Sequence, residues 1–301
     1  MFHRHTIIKL TALILVLLVL VSACGKKDEA PEEGAQAGTT EEAAEAVTGE
    51  AAAASTEEAA AAASTEESAA AASTEEAAAA GTTQAAEVLP GTGRLVAIDP
   101  GHQAQGNFDR EPIGPGASET KAKVAGGTSG VSTGVPEYQL TLDISLLLRD
   151  ILEERGYSVI MVRETNDVNI SNSERAALAN DAGADILVRI HANGSDDHSV
   201  TGAMTICQTP SNPYNGQLYA ASRRLSDCVL DAYIQATGIR REYVWETDSM
   251  SGINWAQVPV TILEMGYMTN PDQDRMMQDR DFQAVMAGGV ADGIDAYFAA
   301  E

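Results

Sequence analysis

Basic residues are scarce in this chain: 19 Lys and Arg stand against 44 Asp and Glu, a formal charge of −25. A surface of that sign disfavours polyanions, so nucleic acid is excluded as a partner. Cysteine is scarcer still, with only Cys24, Cys207 and Cys228 in 301 residues. Cys207 and Cys228 each sit in an apolar stretch, where they either pair in an oxidising compartment or serve as small buried residues. Long apolar runs are missing except for one near the start, which is too short and wrongly flanked for the ~20-residue helix that spans a bilayer. Histidine is limited to five residues, and His3 and His5 fall in that leading segment. Any imidazole chemistry therefore rests on His102, His191 and His198.

The leading stretch "MFHRHTIIKLTALILVLLVLVSAC" has a basic start with Arg4 and Lys9, an apolar middle and small residues before Cys24. That is the pattern of a secretory signal peptide, over residues 1–23. The end, "VSAC", resembles a bacterial lipobox, which implies that Cys24 becomes the lipid-modified first residue of the mature protein. Such an anchor sets the chain on the outer face of the cytoplasmic membrane, in the periplasm where the organism has an outer membrane. Residues 24–90 are rich in Ala, Glu, Ser and Thr and almost devoid of branched or aromatic residues, too little apolar surface to fold as a domain. They include "STEEAAAAA", "STEESAAAA" and "STEEAAAAG", starting at Ser55, Ser64 and Ser73. A repeat this short without an apolar face reads as a spacer, in which each Ser-x-x-Glu box favours transient helix.

Residues 91–301 are long enough for one domain with a sizeable core. "RLVAID" (94–99) reads as a buried strand followed by a long Gly/Pro-rich segment. Leu140, Ile144, Leu147, Leu148, Ile151 and Leu152 then recur at helical spacing between Pro136 and Gly156. Strands are expected at 157–163, 185–193, 201–208 and 258–266, and helices at 171–183, 215–236 and 281–298. Alternation of this kind predicts a single α/β domain whose central, mostly parallel twisted sheet is flanked by helices. Ligands of such sheets bind at the carboxyl ends of the strands. His102 follows the first strand, His191 ends the third and Glu264 ends the fifth.

Two histidines and one carboxylate form the ligand set of an open catalytic zinc site. Glu137 is the best candidate for the carboxylate, because the first turn of the long helix can hold a ligand rigidly. The helix macrodipole also favours an acid there for purely structural reasons. Glu264 is harder to explain by structure alone: an ionised carboxylate in the apolar run "VPVTILEMGYMTN" needs a strong partner or a raised pKa. Beside a metal-activated water it suits a general base and acid. Arg189 shares a strand face with His191 and either reaches an acidic group of the substrate or pairs with a buried acid. Asp99 either orients His102 or caps the "DPG" turn, and Asn193 is a further candidate for contact with substrate or ligands. His198, in "SDDHSV", reads as an exposed loop residue. Trp245, Trp255 and Tyr243 either stack on substrate or belong to the core.

These pieces carry a resemblance. "DPGH" with His102, "GVSTGVPEYQLTLDIS" with Glu137, "GYSVIMVRETND" with Arg163, "SERAALAN" with Arg175, "ILVRIHAN" with His191 and "VPVTILEMGYMTN" with Glu264 occur in the order found in zinc-dependent N-acetylmuramoyl-L-alanine amidases. The chain resembles their catalytic domain across residues 94–298. The resemblance implies Zn2+ held by His102, Glu137 and His191, with Glu264 catalytic. The implied substrate is peptidoglycan, cut at the amide between N-acetylmuramic acid and the L-alanine of the stem peptide. Two other functions compete: an idle wall-binding or regulatory module on the same fold, and a zinc peptidase cutting within the stem. A monomer is expected.

Three departures from the family pattern stand out. The spacing from His102 to Glu137 is about twice that of a minimal member, and the extra segment is expected to form a loop over the cleft. Arg189 stands where many members have serine. Only "TPSNPYNG" separates the strand of Cys207 from the next helix, which leaves no room for the long helix that plugs the zinc site of some regulated members.

Overall fold

The computed structural model describes Gly91 and residues 93–300; the signal segment, Cys24 and the spacer lie outside the described residues. A six-stranded sheet forms the centre, built from β1 (Leu95–Pro100), β4 (Ser158–Met161), β5 (Ile186–Asn193), β6 (Ala203–Cys207), β7 (Arg241–Glu246) and β8 (Val260–Tyr267), in the order β4-β1-β5-β8-β6-β7. The first four strands in that order run parallel, β6 runs antiparallel to β8, and β7 pairs parallel with β6. Residues 194–202 link β5 to β6 and are too few for a crossover helix, so β6 returns in the opposite direction. The inner strands β5 and β8 are apolar runs covered on both faces, as parallel strands between helix layers must be.

Alternation along these strands divides the core. Val96, Ile98, Val188, Ile190 and Leu263 point to a thick layer made by α1 (Glu137–Glu154), α3 (Tyr219–Thr237) and α6 (Arg280–Ala299). In α1, Leu140, Ile144, Leu148 and Leu152 form the buried stripe. Pro136 stands before its first turn, and Gly156, with φ of 87°, follows its end. Ala97, Leu187, Val260 and Ile262 point the other way, beneath α2 (Asn172–Asp181) and α4 (Ser251–Asn254). Ser171 and Glu174 close a reciprocal capping box at the start of α2. The thinner layer leaves room at the carboxyl ends of the strands, where Asp99, Arg189, His191 and Glu264 share its face.

Several elements differ from the sequence reading. The 103–136 segment is not a plain loop: β2 (Asn107–Pro112) and β3 (Thr120–Val124) pair as an antiparallel hairpin. It is fastened to the thin layer, where Ser173 donates to Glu111 at 2.6 Å and Trp255 Nε1 donates to the Pro112 carbonyl at 2.9 Å. Glu264 does not end its strand, because β8 continues to Tyr267, whose N–H is taken up by Gln273 Oε1 from α5 (Pro271–Met277). Strand β7 and helices α4 and α5 were not anticipated. Residues 208–218 join β6 to α3 through a single 3-10 turn, Gly216–Leu218. Cys207 and Cys228 are free thiols, one buried in β6 and one half-buried on α3, so the disulfide alternative fails. Among the described residues no helix is long and apolar enough to cross a membrane.

Candidate active site

The Asp-Pro-Gly turn ends β1, and His102 follows it with φ of 61°, the one positive value among the described non-glycine residues. That conformation is tolerated because the turn is held on several sides. Gly101 N–H donates to the Ile190 carbonyl at 2.9 Å, and Arg175 Nη2 donates to the His102 carbonyl at 2.8 Å. Gly101 carries no side chain for a packing reason: a Cβ there would lie 2.4 Å from Cε1 of the His191 ring. His102 and His191 consequently meet edge to face, with ring centroids 4.8 Å apart.

Glu137 enters from the first turn of α1 and is buried. Two backbone donors hold its carboxylate: Thr128 N–H to Oε2 at 2.9 Å and Ala192 N–H to Oε1 at 3.0 Å. Its Oε1 lies 3.1 Å from His102 Nε2 and 3.3 Å from His191 Nδ1, and those two nitrogens are 3.1 Å apart. Three ligand atoms at zinc distances from one tetrahedral centre would stand about 3.3 Å from each other. The donor set therefore fits a zinc ion in size as well as in chemistry. His102 Nδ1 faces the Ala125 carbonyl at 2.9 Å, which requires a proton on Nδ1 and, in the neutral ring, leaves the Nε2 lone pair directed at Glu137 and His191.

Burial and neighbouring charge act differently on the three groups. Burial pushes His191 down to about 4, beyond what Glu137 recovers, so its ring is neutral and able to donate a lone pair. Burial alone would raise Glu137, but His102 and His191 outweigh it and keep it ionised. At His102 burial acts to lower the pKa, and Glu137 together with the Ala125 carbonyl raises it instead. Glu264 is 5 % exposed and stands directly beside His191 in the β5–β8 register, with its side chain on the same face of the sheet.

Beneath these residues lies a buried ionic cluster. Asp99 receives Arg175 Nη1 and Arg189 Nε, each at 2.7 Å. Burial would raise the Asp99 carboxyl, but the two guanidiniums hold it well below the usual carboxylate range. Asp99 therefore reaches His102 only through Arg175 and its bond to the His102 carbonyl. Arg189 takes the buried-acid alternative, with Nη2 donating to Asn172 at 2.7 Å, and is 4 % exposed. Arg163 braces the same turn by donating to the carbonyls of Pro100, Gly101 and Tyr138.

The structure brings His102, Glu137 and His191 together and sets Glu264 beside them. Asn193 stands at the end of β5, where its Oδ1 accepts from Gly194 N–H at 2.9 Å and its Nδ2 lies 3.9 Å from Met204 Sδ. His198 is exposed in the 194–202 connection. Trp255 is occupied by the hairpin, Trp245 packs at the edge of the thin-layer core and Tyr243 is exposed on β7. The backbone groups of Ala125, Thr128 and Ala192 were not anticipated. The only advance signal was the Gly126-Gly127 pair beside them, where a close backbone approach is affordable.

Residues 96–296 match the N-acetylmuramoyl-L-alanine amidase family. The chain belongs to that family. It is an amidase acting on peptidoglycan. The amidase is 27 % identical over 219 residues to an N-acetylmuramoyl-L-alanine amidase of Mycobacterium tuberculosis, covering 69 % of this chain and 88 % of that one. It is 28 % identical over 211 residues to the Staphylococcus aureus protein named "Probable cell wall amidase LytH"; the match covers 70 % of this chain and 60 % of that relative. The crystal structure of an N-acetylmuramyl-L-alanine amidase from Mycobacterium smegmatis superposes with a TM-score of 0.64 at 26 % identity, covering 70 % of this chain and 99 % of that one.

Proposed function

We propose that the amidase is zinc-dependent, with the ion held by His102 Nε2, Glu137 Oε1 and His191 Nδ1 and with Glu264 moving the proton. The observation that carries this reading is the triangle of donor atoms, 3.1–3.3 Å on a side, with the His102 tautomer set by the Ala125 carbonyl. A zinc ion there supplies Lewis acidity toward water and toward the amide carbonyl. Glu264, buried on the face shared with His191, accepts a proton from the attacking water on a carboxylate oxygen and returns it to the departing amine nitrogen. Thr128 and Ala192 keep the Glu137 carboxylate fixed while this happens.

On this reading residues 91–301 are the catalytic domain, residues 1–23 the lipoprotein signal, and residues 24–90 a spacer carried by lipid-modified Cys24. A tether of that kind keeps a monomeric enzyme in the cell envelope beside its substrate without a separate wall-binding domain. The relative named a cell wall amidase supports the same location. The short 208–218 connection supports activity without an activator protein.

The test is a pair of variants of the mature protein. E264Q should retain one zinc per chain and lose turnover by about a thousandfold or more, as expected for removal of a general base that also serves as acid. E137A should lose the zinc. A fully active E264Q protein, or an E137A protein with unchanged zinc content, would contradict the assignment.

A further inference from the structure

The hairpin inserted between His102 and Glu137 does more than cover the thin layer. Its first arm and the loop that follows β4 border an open cleft of about 670 Å³, lined by Gln105, Asn107, Phe108 and Asp109 on one side and Asp167 and Asn169 on the other, among others. That volume is in the range of sites for small ligands. The walls are held in place: Ala104 N–H donates to the Asn166 carbonyl at 3.0 Å, Asn107 Nδ2 to Asn169 Oδ1 at 2.9 Å, and Asn166 bonds both Arg163 and Gln139. Phe108 is 63 % exposed, the most open large apolar side chain among the described residues. The tip of its ring lies near Gly106, where an added Cβ would stand 3.2 Å from Cζ, and most of the side chain is open to solvent.

The chemistry of the lining selects among the parts of peptidoglycan. Planar amides, carboxylates and a bare aromatic ring suit hydroxyl and acetamido groups, which need hydrogen bonds at their rims and an apolar surface under the sugar ring. None of the lining residues is basic, and Lys123 meets Asp109 only from the neighbouring strand, at 3.5 Å. A stem peptide carrying free carboxylates gains nothing from such walls, whereas the glycan is N-acetylated and largely uncharged. The cleft also starts beside the reacting centre, since Ala104 follows His102 by two residues, roughly 7 Å of chain at most.

We propose that this cleft is a saccharide subsite, which holds the glycan strand next to the scissile amide with Phe108 as its stacking platform. The proposal deepens the amidase reading and rests on it, by naming the part of peptidoglycan that the insert recognises. The test is direct binding of N-acetylglucosamine oligosaccharides, which carry neither a lactyl carboxylate nor an amide to a stem and so bind without turnover, to the mature protein by calorimetry. Binding is expected in the native protein, about tenfold weaker in F108A and retained in F108W. Failure of the zinc assignment would leave this measurement intact, because it requires no catalysis. Absence of glycan binding, equal affinity in F108A, or binding of free stem peptide that depends on Phe108 would overturn the proposal.

Discussion

At Gly127 the backbone turns with φ of 79°, and a Cβ there would lie 2.9 Å from His102 Cγ and 3.0 Å from Glu137 Oε2. The glycine thus answers two needs at once, a left-handed conformation and a close approach to two candidate ligands. G127A should displace the ring or the carboxylate, weakening zinc binding by about 10–100-fold, as loss of ligand support typically does. Strain should also cost about 1–2 kcal/mol of stability. Competition with a metal indicator dye, beside urea unfolding of the same protein, measures both; unchanged zinc affinity would show that the backbone at this position does not position the ligands. The four side chains proposed for the chemistry could be singled out in the sequence because histidine is rare here, a carboxylate inside an apolar strand demands a reason, and Glu137 stands in the first turn of the long helix. Their supports were not, because an amide N–H or carbonyl is common to every residue and only folding decides which one faces His102 or Glu137. Arg189 shows the same limit: its face could be read from strand alternation, but the choice of Asp99 as partner depended on Arg175 arriving from α2.

Among the elements, those with strong apolar periodicity were read well and those without it were missed. Strands β1, β5 and β8 and helices α1, α3 and α6 each bury a continuous run or stripe, and each fell within a few residues of its expected span. The first hairpin arm exposes most of its residues, the second is half-buried, and neither presents an apolar stripe, so the segment read as a loop. Strand β7 is an edge strand with Arg241 and Tyr243 exposed and the rest half-buried, and β8 extended past Glu264 because α5 supplies a partner for its last amide. The contact of α3 with α6 is close because glycine lines it: a Cβ at Gly293 would come within 2.5 Å of Val229 Cα and 2.8 Å of the Cys228 carbonyl. Backbone cannot yield as a side-chain tip can, so G293A should destabilise the domain by about 1–3 kcal/mol. Because this helix pair lies across the sheet from the active site, zinc content of the folded protein should be unaffected. A urea midpoint equal to that of the native protein would show that the two helices can part at no cost.

At the scale of the molecule, charge and architecture divide between two parts of the chain. Residues 91–301 hold 29 acids against 15 Lys and Arg, and residues 25–90 hold 15 acids against two lysines. Both parts therefore repel polyanions, and recognition of peptidoglycan must come from local chemistry in the site rather than from a general field. The sheet delivers that chemistry to one edge: β1 leads to His102, β5 carries His191, β8 carries Glu264, and the inserted hairpin returns the chain to Glu137 at the start of α1. The central claim is that these four residues make a zinc amidase that cuts between sugar and stem peptide. Mass spectrometry of material released from purified peptidoglycan by the mature protein tests it most directly, before chelation, after chelation, and after zinc is restored. The account predicts intact stem peptides beginning with L-alanine, lost on chelation and recovered with zinc. Fragments cut inside the stem, or release that persists after complete removal of metal, would contradict it.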